Sequence, residues 1–123
     1  MIINGKEIKL RYSVRARLRI AKLCPGGKFE NIGDLFGGSD EDSITALVNV
    51  GKLLNSEYER NARRERGETI EEDADYSVFE VDDVFDLPYE TLSELESLIT
   101  QTIIGDSKTT VESKPGKKKQ GKI

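Results

Sequence analysis

Residues 39–66 read SDEDSITALVNVGKLLNSEYERNARRER, and this stretch decides the fold. Ser39 or Asp40 supplies an N-cap, and Asp40, Glu41 and Asp42 place negative charge at the positive end of the helix dipole. Ile44, Leu47, Val48, Gly51, Leu54 and Tyr58 recur at the spacing of one helix face. Arg60, Arg63, Arg64 and Arg66 bring cations to the C-terminal end, and Gly67 stops the helix. Gly51 inside this stripe costs about 1 kcal/mol relative to Ala, and a close crossing by a second helix would offset that cost. The apolar stripe needs elements to cover it, and the rest of the chain supplies the candidates.

Upstream, Asn4-Gly5 suits the positive φ angles of a tight hairpin turn between two very short strands, with Ile2 and Ile3 on one side and Ile8, Leu10 and Tyr12 on the other. A hairpin of this size is marginal in water, so it must pack on helices or pair with another chain. Ser13 can cap a helix over Val14 to Leu23 with Val14, Leu18 and Ala21 as its stripe, and Cys24-Pro25-Gly26-Gly27 ends it. Arg11, Arg15 and Arg19 line another face at spacing four, with Arg17 and Lys22 nearby. Phe29, Ile32, Leu35 and Phe36 predict a short helix or turn closed by Gly37-Gly38.

Downstream, Glu68 to Asp75 reads as a solvated acidic connection, and Val81 to Leu87 as a single capped turn. Pro88 is placed as the first residue of a last helix, with Leu92, Leu95, Ile99 and Ile103 as its core stripe and Gly105 as its end. The expected fold is therefore mainly α: a short N-terminal β-hairpin and three to four helices over residues 1–105, followed by a disordered, lysine-rich tail over 106–123.

The 123 residues are 36% hydrophobic and 34% charged, enough apolar material for one modest core. Net charge is −4, but it is strongly segregated. Residues 1–66 carry 13 basic against 9 acidic groups, residues 67–107 carry no basic against 13 acidic groups, and residues 108–123 carry 6 against 1. Such faces can meet within one chain, meet between copies, or be solvated independently. There is no His and a single Cys, Cys24, so one chain supplies neither a disulfide nor a zinc site of the His/Cys kind. The apolar run around Leu98 to Ile104 is broken by Thr and Gln, so no membrane span is expected.

Catalytic patterns are weak throughout. Asp73-x-Asp75-x-Ser77 starts like a calcium loop but has Val78 where the turn needs Gly and Val84 where the bidentate Glu belongs. Asp82, Asp83 and Asp86 could hold magnesium, yet helix capping accounts for the first two. Pro25-Gly26-Gly27-Lys28 lacks the ending of a phosphate loop. Cys24 has no His to act as its base and reads as a small buried residue. The expectation is a non-enzyme with no catalytic residue, metal or cofactor.

Three stretches, IINGKEIKLRYSVRARLRIAKL at 2–23, SITALVNVGKLLNSEYE at 43–59 and VDDVFDLPYETLSELESLITQTI at 81–103, followed by a lysine-rich end, resemble in their order the tail assembly chaperones of long-tailed, siphovirus-type bacteriophages. The acidic stretch Glu68 to Asp75 departs from that pattern. The resemblance implies a small, mainly helical, self-associating protein of the bacterial host cytoplasm, absent from the mature virion. It would bind the tape measure protein and tail tube subunits and keep them soluble before the tube polymerises. It also implies a second, longer product made by ribosomal frameshifting, for which the codons of Lys117 to Lys119 are the place to look.

Candidate contact residues are Ile2, Ile3, Ile8 and Leu10 on the hairpin edge for self-association, and Leu47, Leu54, Leu95 and Ile99 wherever an apolar stripe is left uncovered; the competing reading is that the latter four pack the core. The alternative function is a small nucleic-acid-binding regulator that uses the Arg11 to Arg19 face. The negative total charge, the acidic segment and the lack of interleaved aromatics argue against it. A third reading is an acidic adaptor acting through Glu68 to Glu96.

Overall fold

A computed structural model describes the backbone of residues 1–112 and the side chains of residues 1–105. Among the described residues two strands and five helices follow in order: β1 (Ile2–Ile3), β2 (Lys6–Glu7), α1 (Val14–Leu23), α2 (Ile32–Leu35), α3 (Asp40–Glu65), α4 (Val81–Phe85) and α5 (Thr91–Glu112). Two 3-10 turns, Pro25–Gly27 and Phe29–Asn31, join α1 to α2. The fold is mainly helical with a short antiparallel hairpin at its N-terminus, in agreement with the class expected from the sequence.

The long helix α3 is the axis of the molecule. Its N-cap is Ser39, whose Oγ accepts from the Asp42 amide at 3.2 Å, with three acids in the first turn and Arg63 and Arg64 in the last. The hairpin turn falls where expected, with φ of 55° at Asn4 and 77° at Gly5, and pairs Ile2 with Glu7 and Ile3 with Lys6. The second strand is shorter than the sequence suggests. Past Ile8, whose amide still donates to the Met1 carbonyl at 2.8 Å, the chain runs along α3, where the Arg11 amide donates to the Leu54 carbonyl at 3.1 Å.

Buried Asn55 secures this packing from two sides. Its Nδ2 donates to the Lys9 carbonyl at 2.9 Å, and its Oδ1 accepts from the Val78 amide at 2.8 Å. One side chain thus ties both the N-terminal arm and the segment before α4 to the central helix. Ser56 adds a parallel bond, its Oγ accepting from the Tyr76 amide at 2.8 Å.

The core gathers Ile3 and Ile8 from the N-terminal arm, Ala16 and Ile20 from α1, Cys24, and Val48, Val50 and Leu54 from α3. It continues through Phe79, Val84 from α4, and Leu95 and Ile99 from α5. Helix α4 carries a capping box in which the Glu80 amide donates to Asp83 Oδ2 at 2.8 Å. That carboxylate is also bonded by the Asn4 side chain, and these contacts hold it below the usual aspartate range, so the hairpin turn is anchored on α4.

Four local expectations are corrected. Val14 and Leu18, read as the inner stripe of α1, are 80% and 60% exposed, while Ala16, Ile20 and Cys24 face the core. Helix α1 has apolar residues on two opposite faces, and periodicity alone does not choose between them. Helix α5 begins at Thr91, not Pro88, because residues 88–90 form a turn in which the Thr91 amide bonds the Pro88 carbonyl at 2.9 Å. It also passes through Gly105 to Glu112, so residues 106–112, expected in a disordered tail, are helical backbone. The remainder of that expectation, and the lysine run, lie outside the described residues. Finally, the acidic connection is exposed as expected but is clamped to the helices.

Candidate functional site

Part of the charge segregation is resolved within the chain. Arg19 Nη2 donates to the Glu72 carbonyl at 2.5 Å, and Arg15 Nη1 lies 3.7 Å from the Glu72 carboxylate. Buried Arg60 donates from Nη1 to the carbonyls of Glu71 and Glu72 at 3.1 and 3.0 Å. Arg66 Nε holds Glu68 at 2.7 Å, with Arg63 at 3.4 Å, and the Arg66 contact leads in keeping the Glu68 carboxyl below its ordinary range. Lys52 reaches Asp75 at 3.3 Å and Glu80 at 3.0 Å. Burial alone would push its ammonium down, but the hydrogen bonds and charges of Glu80 and Asp75 outweigh burial and leave its pKa raised.

These contacts bear on the basic face of α1. Arg15 and Arg19 are engaged by the acidic connection, and Arg17 stacks 4.2 Å from the Phe29 ring centre while donating to the Tyr12 hydroxyl at 3.3 Å. A strip for a nucleic-acid backbone needs arginines pointing outward together, and here three are committed to protein partners. Among the described residues no group of three or more His, Cys, Asp or Glu is placed to hold a metal ion, and no helix is long and apolar enough to cross a membrane.

Cys24 is buried, its Sγ donates to the Ile20 carbonyl at 3.3 Å, and burial pushes its pKa up. A thiol raised and enclosed in this way is a poor nucleophile.

A concave apolar surface lies elsewhere, between α3 and the α4–α5 corner. Two adjoining hollows of about 450 and 490 Å³ share Ile44, Tyr89 and Leu92. The first is closed by Val84, Phe85 and Leu87, and the second extends past Phe36 and Leu47 to Ile99. Glu41 and Glu96 are the charged residues of the lining. Tyr89 is 77% exposed on the lip, and Phe85 is half-exposed beside it. Pro88 and the turn after it create this geometry: they swing the chain between α4 and α5 so that the apolar ends of both helices face α3 without filling the space.

The contact residues proposed from sequence separate into three groups. Leu54 and Leu95 are fully buried, as are Ile3 and Ile8 on the hairpin side, so a partner reaches none of them without opening the core. Ile2 is 62% exposed and Leu10 half-buried. Leu47 and Ile99 belong to the groove, Leu47 on its wall and Ile99 at its floor. Missed from the sequence were Ile44, Phe85, Tyr89 and Leu92 as lining residues. Tyr89 directly after Pro88 was the available signal, a large aromatic in a turn with no helical stripe to bury it.

No protein-family model, curated protein or solved structure matches this chain.

Proposed function

We propose that this chain is a non-enzymatic assembly chaperone of a bacteriophage tail, which binds the tape measure protein and tail tube subunits and keeps them soluble before the tube forms. The observation that carries the reading is the open apolar groove between α3 and α5, whose lining has acidic but no basic side chains among the described residues. A groove of this kind accepts the apolar face of a helix from another protein. A tape measure protein is a long helical client whose apolar stripes need cover until it assembles. The resemblance in element order supports the same reading, and the net charge of −4 favours solubility of the loaded complex.

Co-expression with the tape measure protein and with tube protein tests it. The expected result is a soluble complex with at least one of them, weakened by Tyr89→Asp at the groove lip; failure of both clients to co-purify would sink the reading. The gene offers a second check. An uninterrupted adenine run over the codons for Lys117 to Lys119, with an overlapping frame that continues past Ile123, is the expected arrangement.

A further inference from the structure

The acidic connection between α3 and α4 is held by polar contacts more than by packing. None of residues 67–75 belongs to the buried core, and Ile70 and Ala74 are only half-buried. A segment fastened in this way opens at lower cost than the helices beneath it. Just beyond it the chain is firmly tied to α3, Tyr76 through Ser56 and Val78 through Asn55.

Three arginines converge on one residue of the connection. The Glu72 carbonyl accepts from Arg19 Nη2 of α1 at 2.5 Å and from Arg60 Nη1 of α3 at 3.0 Å. The Glu72 carboxylate lies 3.7 Å from Arg15 Nη1, one turn before Arg19 on α1. Three guanidinium groups, each with five N–H donors, therefore serve one carbonyl and one loosely held carboxylate, with the Glu71 carbonyl as a further acceptor for Arg60. Arg60 is only 4% exposed, and its Nε is buried with no hydrogen-bond partner among the described residues. Space adjoins the cluster: a hollow of about 310 Å³ has Arg19, Lys52, Asn49 and Ser56 in its lining, with Asp75 across from them.

We propose that Arg15, Arg19 and Arg60 form a binding site for a small phosphate anion, and that Glu72 plugs this site in the absence of ligand. A tetrahedral oxyanion accepts from several guanidinium forks at once, a match that a single carbonyl does not provide. The arginines point inward to one place, which suits one compact anion and not the row of phosphates along a nucleic-acid strand. Glu71, Glu72 and Asp73 repel an incoming anion while the connection is latched, so ligand and connection compete for the same guanidiniums. Occupancy of the site thus releases residues 71–75, and because Tyr76 and Val78 remain tied to α3 the opening is confined to the connection. The site shares no lining residue with the α3–α5 groove, so the proposal stands or falls independently of the client assigned there.

Titration calorimetry of the full chain with inorganic phosphate and with pyrophosphate, at constant ionic strength set by chloride, tests the site. Pyrophosphate is expected to bind once per chain with a Kd on the order of 1 mM, because it must displace a tethered competitor whose effective concentration is on the order of millimolar, and phosphate is expected to bind more weakly. Arg15→Gln with Arg19→Gln, at half-exposed positions that leave the core intact, is expected to weaken pyrophosphate binding at least about tenfold. Arg15→Lys with Arg19→Lys keeps the charge but loses the forks and is expected to fall between that variant and wild type. Glu71→Gln with Glu72→Gln and Asp73→Asn removes the repulsion and is expected to tighten binding about tenfold. Circular dichroism checks that each variant keeps its helical signal.

Hydrogen exchange provides the readout of release. Pyrophosphate is expected to speed exchange over residues 71–75 in wild type and to leave Val78 unchanged, with no further acceleration in the Arg15→Gln, Arg19→Gln chain. No binding of pyrophosphate beyond the chloride control, equal affinity in the arginine variant, or unchanged exchange over 71–75 at saturation each overturns the proposal. So does a single-stranded oligonucleotide that binds more tightly than pyrophosphate at the same phosphate concentration, since that result would make the arginines a strip and not a cradle.

Discussion

Gly51 on α3 faces Leu95 on α5 so closely that a Cβ at position 51 would lie 3.1 Å from Leu95 Cδ1, with Ile99 Cδ1 at 3.5 Å. The two longest helices cross at this point, and the missing side chain sets their approach. Ala at 51 gains about 1 kcal/mol of helix propensity and spends a similar amount moving Leu95 by a few tenths of an ångström. Gly51→Ala is therefore expected to change stability by no more than about 1 kcal/mol, whereas Gly51→Leu overpacks the crossing and costs about 1–3 kcal/mol or more. Leu95→Ala, which empties the same contact, is expected to cost about 2–5 kcal/mol. Urea denaturation of the three variants measures this, and a Gly51→Leu protein as stable as wild type would show that the helices do not meet there.

Asn55 supports two segments with one amide group. Asn55→Ala leaves the Lys9 carbonyl and the Val78 amide without their partner, at about 1–3 kcal/mol for each buried group left unpaired. The expected loss is about 2–4 kcal/mol, together with faster hydrogen exchange at the Val78 amide. Unchanged protection at Val78 would contradict the assignment.

Arg60 is the inner clamp on the acidic connection through the carbonyls of Glu71 and Glu72. Arg60→Ala is expected to destabilise the chain by about 1–3 kcal/mol, in line with hydrogen bonds from a charged donor, and to open residues 68–75 to limited proteolysis. Cleavage at the wild-type rate in the folded variant would mean that Arg15 and Arg19 hold the loop without it.

Acid should loosen the same region. Burial pushes the Asp75 carboxyl up, but hydrogen bonds from Ser77 and the Lys52 ammonium outweigh it, so the folded pKa lies below the ordinary value of 3.8. Asp83 is lowered as well, first by the Glu80 amide and then by Asn4. A lowered folded pKa stabilises the fold at pH values above the unfolded pKa, and that contribution is lost as pH falls through the folded value. Stability is thus expected to be flat near neutrality and to decline below about pH 4, with a shallower decline in Asp75→Asn and Asp83→Asn. Thermal unfolding from pH 7 to pH 2 reads this directly, and identical acid limbs in wild type and both variants would refute it.

Cys24 is expected to be inert while the fold is intact. Its burial and raised pKa predict slow reaction with a thiol reagent in buffer and rapid reaction in denaturant. Equal rates in the two conditions would place the thiol at the surface.

The features legible in the sequence were those carried by neighbours along the chain. The Asn4-Gly5 turn, the caps at Ser13 and Ser39, the extent of α3, the stop at Cys24-Pro25 and the turn over 81–85 all follow from local backbone preference and orphan amides near short polar side chains. Gly51 as a crossing point was legible too, because a glycine in an apolar stripe is costly unless something packs on it. The groove was only half legible. Leu47 and Ile99 stood among the candidates, but Leu54 and Leu95 share their periodicity and lie in the core.

What the sequence determined by itself was a charge-segregated helical chain built around one long central helix, since propensity, capping and period are properties of short windows. Tertiary structure alone decided which face of α1 turns inward, that the acidic connection closes over Arg15, Arg19 and Arg60, and that Tyr89 and Leu92 border an open groove. The physical reason is that a helix with two apolar faces has two equally good local solutions. The choice falls to whichever face buries more against residues distant in the chain, here Ile20 and Ala16 among Ile3, Ile8 and the middle of α3. The face not chosen, Val14 and Leu18, is thereby left at the surface.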